Sequence, residues 1–268
     1  MSSENKTPRS AVAPVETDAD AAIRRLSRRS FILGGIATAA TVGGFTWLMN
    51  APPSDGIPGP LRRMLRFNET LAETFFQPSR LIPTLSLDRV TKPARVNGDI
   101  GLSEEVNLDD WTVQVQPAKA ITATDDDFDE FTLADIKKLP RHEMVTELHC
   151  IEGWTMVQHW AGARFCDFVE QMTRFHDLKS VPKYVGIETP DGAYYVGLDR
   201  ASALHPQTLL CYEMNGEPLT QDHGAPLRLV IPVKYGVKNL KRIGVIKFTN
   251  ARPGDYWAEQ GYDWYAGF

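Results

Sequence analysis

The uncharged run from Phe31 to Met49 divides this chain into two unlike parts. As a helix it would be roughly 28 Å long, about one bilayer core. Arg24, Arg25, Arg28 and Arg29 precede it. The segment therefore reads as a single membrane anchor oriented by its flanking arginines, or as an export signal. Residues 1–22 ahead of it are polar and rich in Ala, Pro and Thr, a composition with no expected fold of its own. Behind it, Ala51–Pro60 (APPSDGIPGP) reads as a Pro/Gly linker, so the folded part is expected to span 61–268. No second linker and no internal repeat follow. One domain of about 200 residues is the economical division.

Ser27-Arg28-Arg29-Ser30-Phe31-Ile32 resembles the Ser-Arg-Arg-x-Phe-Leu pattern of twin-arginine export signals. The Gly-rich, modestly apolar segment that follows suits that pathway better than a Leu-rich span would. The resemblance implies a periplasmic protein exported in the folded state, for which the usual reason is a cofactor inserted beforehand. Ala37-Thr38-Ala39 lies inside the apolar run and Met49-Asn50-Ala51 is a poor cleavage match. Residues 31–49 are thus also a candidate for lasting membrane attachment.

The net charge of -5 excludes the basic footprint of a nucleic-acid binder. Three cysteines in 268 residues make no disulfide framework, and an odd number leaves at least one thiol free or bound to something.

Beyond the linker, strand patterns dominate. Leu61–Phe76 reads as a helix. WTVQVQ (Trp111–Gln116) alternates, with Trp111, Val113 and Val115 on one face, as a half-buried strand does. The acidic run Asp125–Glu130 fails the calcium-loop pattern, which needs Gly sixth and Glu twelfth where Glu130 and Ile136 stand. It reads as a solvated turn before a helix at Leu133–Leu139 with Thr132 as N-cap. His142–His149 reads as a strand and Arg164–Phe175 as an amphipathic helix, with Phe165, Phe168, Val169 and Met172 at helical spacing. Tyr184–Thr189 and Tyr194–Leu198 flank Pro190-Asp191-Gly192, a hairpin signal. Leu209–Met214, Leu227–Val233 and Arg242–Phe248 add further strands. Short helices without βαβ alternation define an α+β fold.

Cysteine is usually buried, so Cys166 in a Phe-packed helix and Cys211 in a strand read as core thiols, with a disulfide between them left open. Cys150 differs, because it ends a strand and begins a turn containing Gly153. Rigid scaffolds present functional groups at such places. A nucleophile would have His149, His159, His205 or His223 as a base, but no cysteine-protease signature surrounds it. Zinc fits less well, with no second ligand at the usual spacing. A single thiolate on a soft metal whose other ligands come from a cofactor fits better.

His149-Cys150-Ile151-Glu152-Gly153-Trp154-Thr155, followed by His159-Trp160-Ala161-Gly162, resembles the metal-binding segment of the sulfite oxidase-like molybdopterin oxidoreductases. The nearest branch is the periplasmic one that includes the protein-methionine-sulfoxide reductase catalytic subunit. His205-Pro206, Thr208-Leu209-Leu210, Asn215-Gly216, His223-Gly224-Ala225-Pro226-Leu227-Arg228 and Pro232-Val233-Lys234-Tyr235-Gly236-Val237-Lys238 recur in the family's order, so the likeness covers roughly 90–250. It implies the sulfite oxidase-type molybdopterin-binding fold and a molybdenum–molybdopterin (pyranopterin dithiolene) cofactor, to which the protein gives one cysteinate.

By that resemblance Cys150 is the molybdenum ligand, with Glu152 and Trp154 beside it. Asn68, Thr189, His223, Arg228, Lys238, Asn239, Leu240 and Lys241 are the implied cofactor contacts. A phosphate-bearing pterin needs cations and backbone donors, which Arg228 and the basic run KYGVKNLKR supply. Sulfite enzymes carry a basic run after the cysteine; here Glu152 stands there. This favours oxygen removal from a neutral S-oxide or N-oxide, small molecule or protein, with sulfite oxidation as the alternative. Tyr212–Leu219 and His223 lean toward that alternative. A catalytically silent pterin-fold binding or assembly protein is the non-enzyme rival. No Cys-x-x-Cys-His haem motif occurs, so electrons would come from a separate cytochrome of b or c type.

Overall fold

The computed structural model describes residues 18–267, apart from 55, 104, 105, 109, 117–127, 174 and 176, with side chains of the first helix described from Ser30 onward. Two units separate, Met1–Pro52 and Pro53–Phe268.

The first unit holds helix α1, Asp18–Met49. It takes in residues 18–22, which composition had placed in an unfolded tail. Ser30–Met49 is long and apolar enough to cross a membrane. Its threonines do not break that character: Thr38 and Thr41 donate their hydroxyls to the carbonyls of Gly34 and Ala37 one turn back.

In the second unit the expected linker is partly folded. Strands β1 (Pro53–Ser54) and β2 (Ile57–Pro58) pair antiparallel around Gly56, whose φ of +80° is open to glycine at little cost. Helix α2 (Gly59–Phe75) follows directly, with Pro60 in its first turn where no amide donor is missed. The described residues between 76 and 111 run largely without regular structure. Leu85 and Thr91 nonetheless donate their amides to the carbonyls of Val145 and Val157.

Two sheets make the body. One has the order β4-β3-β12-β7-β8, from β3 (Thr112–Val115), β4 (Asp129–Thr132), β7 (Tyr184–Glu188), β8 (Tyr195–Asp199) and β12 (Val245–Thr249). Only β3 and β12 run parallel in it. The other has the order β10-β9-β6-β5, with β11 also on β9: β5 (Arg141–His149), β6 (Thr155–Arg164), β9 (Leu209–Met214), β10 (Glu217–Pro218) and β11 (Arg228–Val230). Val113, Val115, Val185, Ile187, Leu198, Ile246 and Phe248 join Ala163, Leu210, Leu229 and the Phe165/Phe168/Val169 face of α4 (Phe165–Met172) in one buried cluster. The alternation read from WTVQVQ is thus the core face of β3. The architecture is α+β, as the strand-rich pattern predicts, with α3 (Leu133–Ile136), α5 (Arg200–Ala203) and α6 (Tyr256–Glu259) as single turns.

Several boundaries are tighter than the sequence predicts, for local reasons. Thr132 caps α3 through a reciprocal box with Asp135, but the helix stops at Ile136 instead of Leu139. Helix α4 ends at Met172 because the Thr173 hydroxyl takes the Val169 carbonyl and accepts the Phe175 amide. Strand β11 ends before Pro232, which has no amide to donate. Strand β12 starts only at Val245, after Arg242 at φ +52°. Most of the acidic run before Glu130 lies outside the described residues. All three cysteines are free, so no Cys166–Cys211 bridge forms.

Candidate cofactor site

Strands β5 and β6 pair from Arg141↔Ala163 to His149↔Thr155, and the loop that joins them is Cys150–Trp154. The Cys150 amide donates to the Trp154 carbonyl at 2.9 Å, and the Gly153 amide to the Cys150 carbonyl at 3.1 Å. Gly153, at φ +87°, supplies the left-handed step that closes the loop. Opposite it, Gly236 lies so close that a Cβ would stand 3.3 Å from Leu148 and 3.4 Å from the His149 carbonyl. A rigid hairpin tip backed by a second turn therefore holds Cys150.

Cys150 opens into a cleft of ≈ 180 Å³. Its Sγ stands 4.0 Å from Asn97 Nδ2. Burial raises the thiol's pKa, and the Glu152 carboxylate adds to that, against the backbone amides of Glu152 and Ile151. The free thiol is thus protonated at neutral pH, and only a bound metal would hold it as thiolate. Among the described residues no three of His, Cys, Asp and Glu gather at one point, so such a metal needs its remaining ligands from a cofactor.

Arg228, His223 and Lys241 are among the nitrogen groups that line the cleft. The Arg228 guanidinium, 4% exposed, donates to the carbonyls of His223 (3.0 Å) and Asn239 (3.2 Å) and lies over the Trp160 ring. Its Nε has no partner, and burial lowers its pKa to about 10. His223 Nδ1 lies 2.8 Å from the Thr220 hydroxyl, while its buried Nε2 has no partner. Burial, then the charges of Arg228 and Lys241, lower the His223 pKa and keep the ring neutral. The nearby Arg95 backbone opposes that shift without reaching hydrogen-bond geometry. Lys241 donates to the carbonyls of Gly98 and Asp222 at 2.8 and 2.7 Å, which leaves one ammonium proton over. Burial, then Arg228, lower its pKa to about 8. Gly224 brings the groups together: at φ +94°, a Cβ there would meet Lys241 and Arg242 at 2.8 Å.

The other expected contacts divide. Asn239 lines the cleft and uses its side chain on the Ile231 amide and the Tyr235 carbonyl. Lys238 does not reach the cleft; 1% exposed, it pairs with Asp255 and donates to the Gly197 carbonyl. Leu240 is fully buried in the core. Thr189 is also buried, bonded to Asp191 at 2.6 Å and packed where Gly101 leaves room for it. Asn68 sits on an exposed side of α2, away from the cleft.

Residues that the sequence reading missed complete the walls. Arg95 and Asn97 come from the irregular segment before β3, and Tyr194, Trp257 and Tyr262 add an aromatic side. The Trp154 indole is held twice: its Nε1 donates to Glu152 at 2.8 Å, and the Arg95 guanidinium lies 4.4 Å from its ring centroid. No periodicity marks Arg95 or Asn97, and Trp257 and Tyr262 lie beyond the last motif.

Unpaired buried nitrogens and a lone thiol lining one cleft form a site for an anionic, metal-bearing cofactor within an α+β body. The residues fit a molybdenum–pterin group in chemistry: Cys150 for the metal, Arg228 Nε and Lys241 for its negative groups, and His223 Nε2 for a further polar contact. The class so defined is a molybdopterin-binding oxidoreductase.

The family described as the oxidoreductase molybdopterin binding domain matches residues 100–257, and this chain belongs to it. A protein from Azospira oryzae, named provisionally as protein-methionine-sulfoxide reductase subunit YedZ1, is 32% identical over 243 residues, 90% of this chain and 88% of that one. The protein-methionine-sulfoxide reductase catalytic subunit MsrP of Campylobacter jejuni is 30% identical over 184 residues, 62% of this chain and 59% of that one. These relatives carry the branch expected from the cysteine segment. Among solved structures, the sulfane dehydrogenase SoxCD of Paracoccus pantotrophus aligns with a TM-score of 0.46 and 15% identity, over 56% of this chain and 41% of that one.

Proposed function

We propose that this molybdopterin oxidoreductase is exported by the twin-arginine route, stays attached to the membrane through α1, and reduces a neutral S-oxide or N-oxide. Electrons come from a separate haem protein, a cytochrome of b or c type. The relatives named as methionine-sulfoxide reductase subunits support an S-oxide, on a free or protein-borne thioether. In the balanced reaction the S-oxide takes up two electrons and two protons and leaves as thioether and water.

The observation that carries this reading is the division of charge in the cleft. Arg228, Lys241 and His223 are tied to carbonyls and a hydroxyl on the wall given to the cofactor. With Cys150 the cleft is lined by the Glu152 carboxylate, the Arg95 guanidinium whose charge opposes it, and the aromatic residues Trp154, Tyr194, Trp257 and Tyr262. Opposed charges leave the mouth without net cationic attraction for a dianion such as sulfite, whereas a neutral thioether oxide would pack against the rings. When bound, the molybdenum group supplies the two-electron chemistry of oxygen-atom transfer. The protein's own part is orientation and exclusion of water. Asn97 and Arg95 are placed to donate to a substrate oxygen, and the Glu152–Trp154–Arg95 stack fixes the mouth.

The test is turnover by protein purified from a molybdate-supplied host. Methionine sulfoxide should be reduced with a viologen dye as donor, and sulfite should not be oxidised with ferricyanide as acceptor. Sulfite oxidation without S-oxide reduction would reverse the assignment.

A further inference from the structure

Helix α2 faces the wrong way for a helix that belongs only to a soluble body. Leu61, Met64, Phe67, Leu71 and Phe75 recur at spacings that place them on one stripe, and such a stripe normally turns toward the core. Here it turns outward: the five side chains are between 40% (Leu61) and 77% (Phe75) exposed. The side against the body is largely polar instead. Arg62, nearly buried, donates to the carbonyls of Tyr262 and Ala258 at 3.0 and 2.9 Å. Glu69 pairs with Arg252 at 2.6 Å, and Ala72 is the small residue that packs beside Trp264 and Tyr265. The helix is thus docked by ion pairs and hydrogen bonds, and its hydrophobic stripe is left over.

Chain connectivity indicates what covers it. Only Asn50, Ala51 and Pro52 link the end of the Ser30–Met49 span to Pro53, and Pro53 pairs with Pro58 at the start of α2. At about 3.5 Å per residue, three residues cannot carry that hairpin far from the end of the span. The stripe lies on the outer side of a single helix. Arg63, exposed beside it, suits anionic headgroups. We infer that α2 is an interfacial helix that lies on the lipid surface, with Leu61, Met64, Phe67, Leu71 and Phe75 in the headgroup boundary. The inference rests on the membrane-attached reading of α1. It adds a second contact that fixes how the oxidoreductase unit stands on the bilayer, through the same Trp257–Tyr262 segment that walls the cleft.

The experiment reconstitutes the full chain into vesicles of phosphatidylethanolamine with a minority of phosphatidylglycerol and a trace of photoactivatable phospholipid. After irradiation, lipid adducts are mapped on tryptic peptides. Adducts should fall on the span and on peptides 64–66 and 67–80. The pair Phe67→Glu and Leu71→Glu should reduce the 67–80 adducts to background and leave those on the span. Phe67→Leu with Leu71→Met should keep both. Adducts on the span with none on 64–80 would overturn the inference while α1 stays a membrane anchor. No adducts on either segment would overturn both readings.

Discussion

Lys238 and Lys241 lie three residues apart in one basic run, the first fully buried and the second half-buried, yet the structure uses them in opposite ways. Lys238 meets the Asp255 carboxylate and the Gly197 carbonyl; its neighbour Lys234 is buried with Asp199 at 3.2 Å. These two cations carry their counter-ions with them. Lys241 and Arg228 have carbonyl partners only, beside a neutral His223 with a bare Nε2. Taking a charge out of water is expensive, and a paired charge recovers most of that expense inside the protein. An unpaired one recovers it only from outside. Lys234 and Lys238 are therefore part of the fold, whereas Arg228 and Lys241 are the groups proposed to meet an anion.

The contrast breaks most visibly at Asp255. It pairs with Lys238, accepts the Gly197 amide and caps α6 through the Ala258 amide. Asp255→Ala should cost the fold about 3–5 kcal/mol, read by denaturant unfolding of the cofactor-free protein. A loss below about 1 kcal/mol would mean that the pair is not structural.

On the open side the order inverts. Lys241→Met should not lower cofactor-free stability and should raise it, because it removes a charge that has no counter-ion among the described residues. It should weaken cofactor retention about ten- to a hundredfold, the worth of one charge-assisted hydrogen bond. Pterin content after dialysis measures this. Equal losses of stability and retention would erase the distinction between the two lysines.

A pH series sharpens it further. In the bare site burial holds the Lys241 pKa near about 8, below its ordinary 10.5. The native state therefore releases that proton first, so this group makes the cofactor-free protein gain stability as pH rises from about 8 toward 10.5. Anion binding has the opposite slope. Sulfate, whose charge is constant over this range, should bind most tightly below about pH 8 and weaken above it, with the step absent in Lys241→Met. Calorimetric titration reads it directly, and a flat profile would count against Lys241 as an anion ligand.

The smallest effect is expected at Glu152. Glu152→Gln keeps an acceptor for Trp154 Nε1 and removes a negative charge at the mouth. Selectivity between neutral and anionic substrates should move toward the anion by less than about fivefold. Competition between methionine sulfoxide and sulfite measures it.

This comparison also marks how far the sequence could be read. Cys150 was legible because a cysteine between a strand and a Gly turn is placed by local rules, and the family's ordered motifs carried Arg228, His223 and Lys241 with it. Lys238 was read as a cofactor contact on the same grounds and lies elsewhere. Its run turns tightly at Gly236–Lys238, and the Asp255 that meets it stands 17 positions further on, a distance that no spacing rule spans. Arg95 and Asn97 sit in irregular backbone, where side-chain direction has no period. The strands of the core were legible through alternation. Their ends were set by Pro232, Thr173 and the left-handed Arg242, which a periodicity does not see. The outward stripe of α2 shows a further limit: a pattern gives the apolar side of a helix, not which way that side faces.

The central claim is that Cys150 is the one protein ligand to a molybdenum whose other ligands come from the pterin. Elemental analysis with X-ray absorption on protein from a molybdate-supplied host tests it most directly. The account predicts about one molybdenum per chain, with a thiolate contribution that Cys150→Ser removes while the protein stays folded. Folded wild-type protein without molybdenum, or an unchanged metal spectrum in Cys150→Ser, would contradict it.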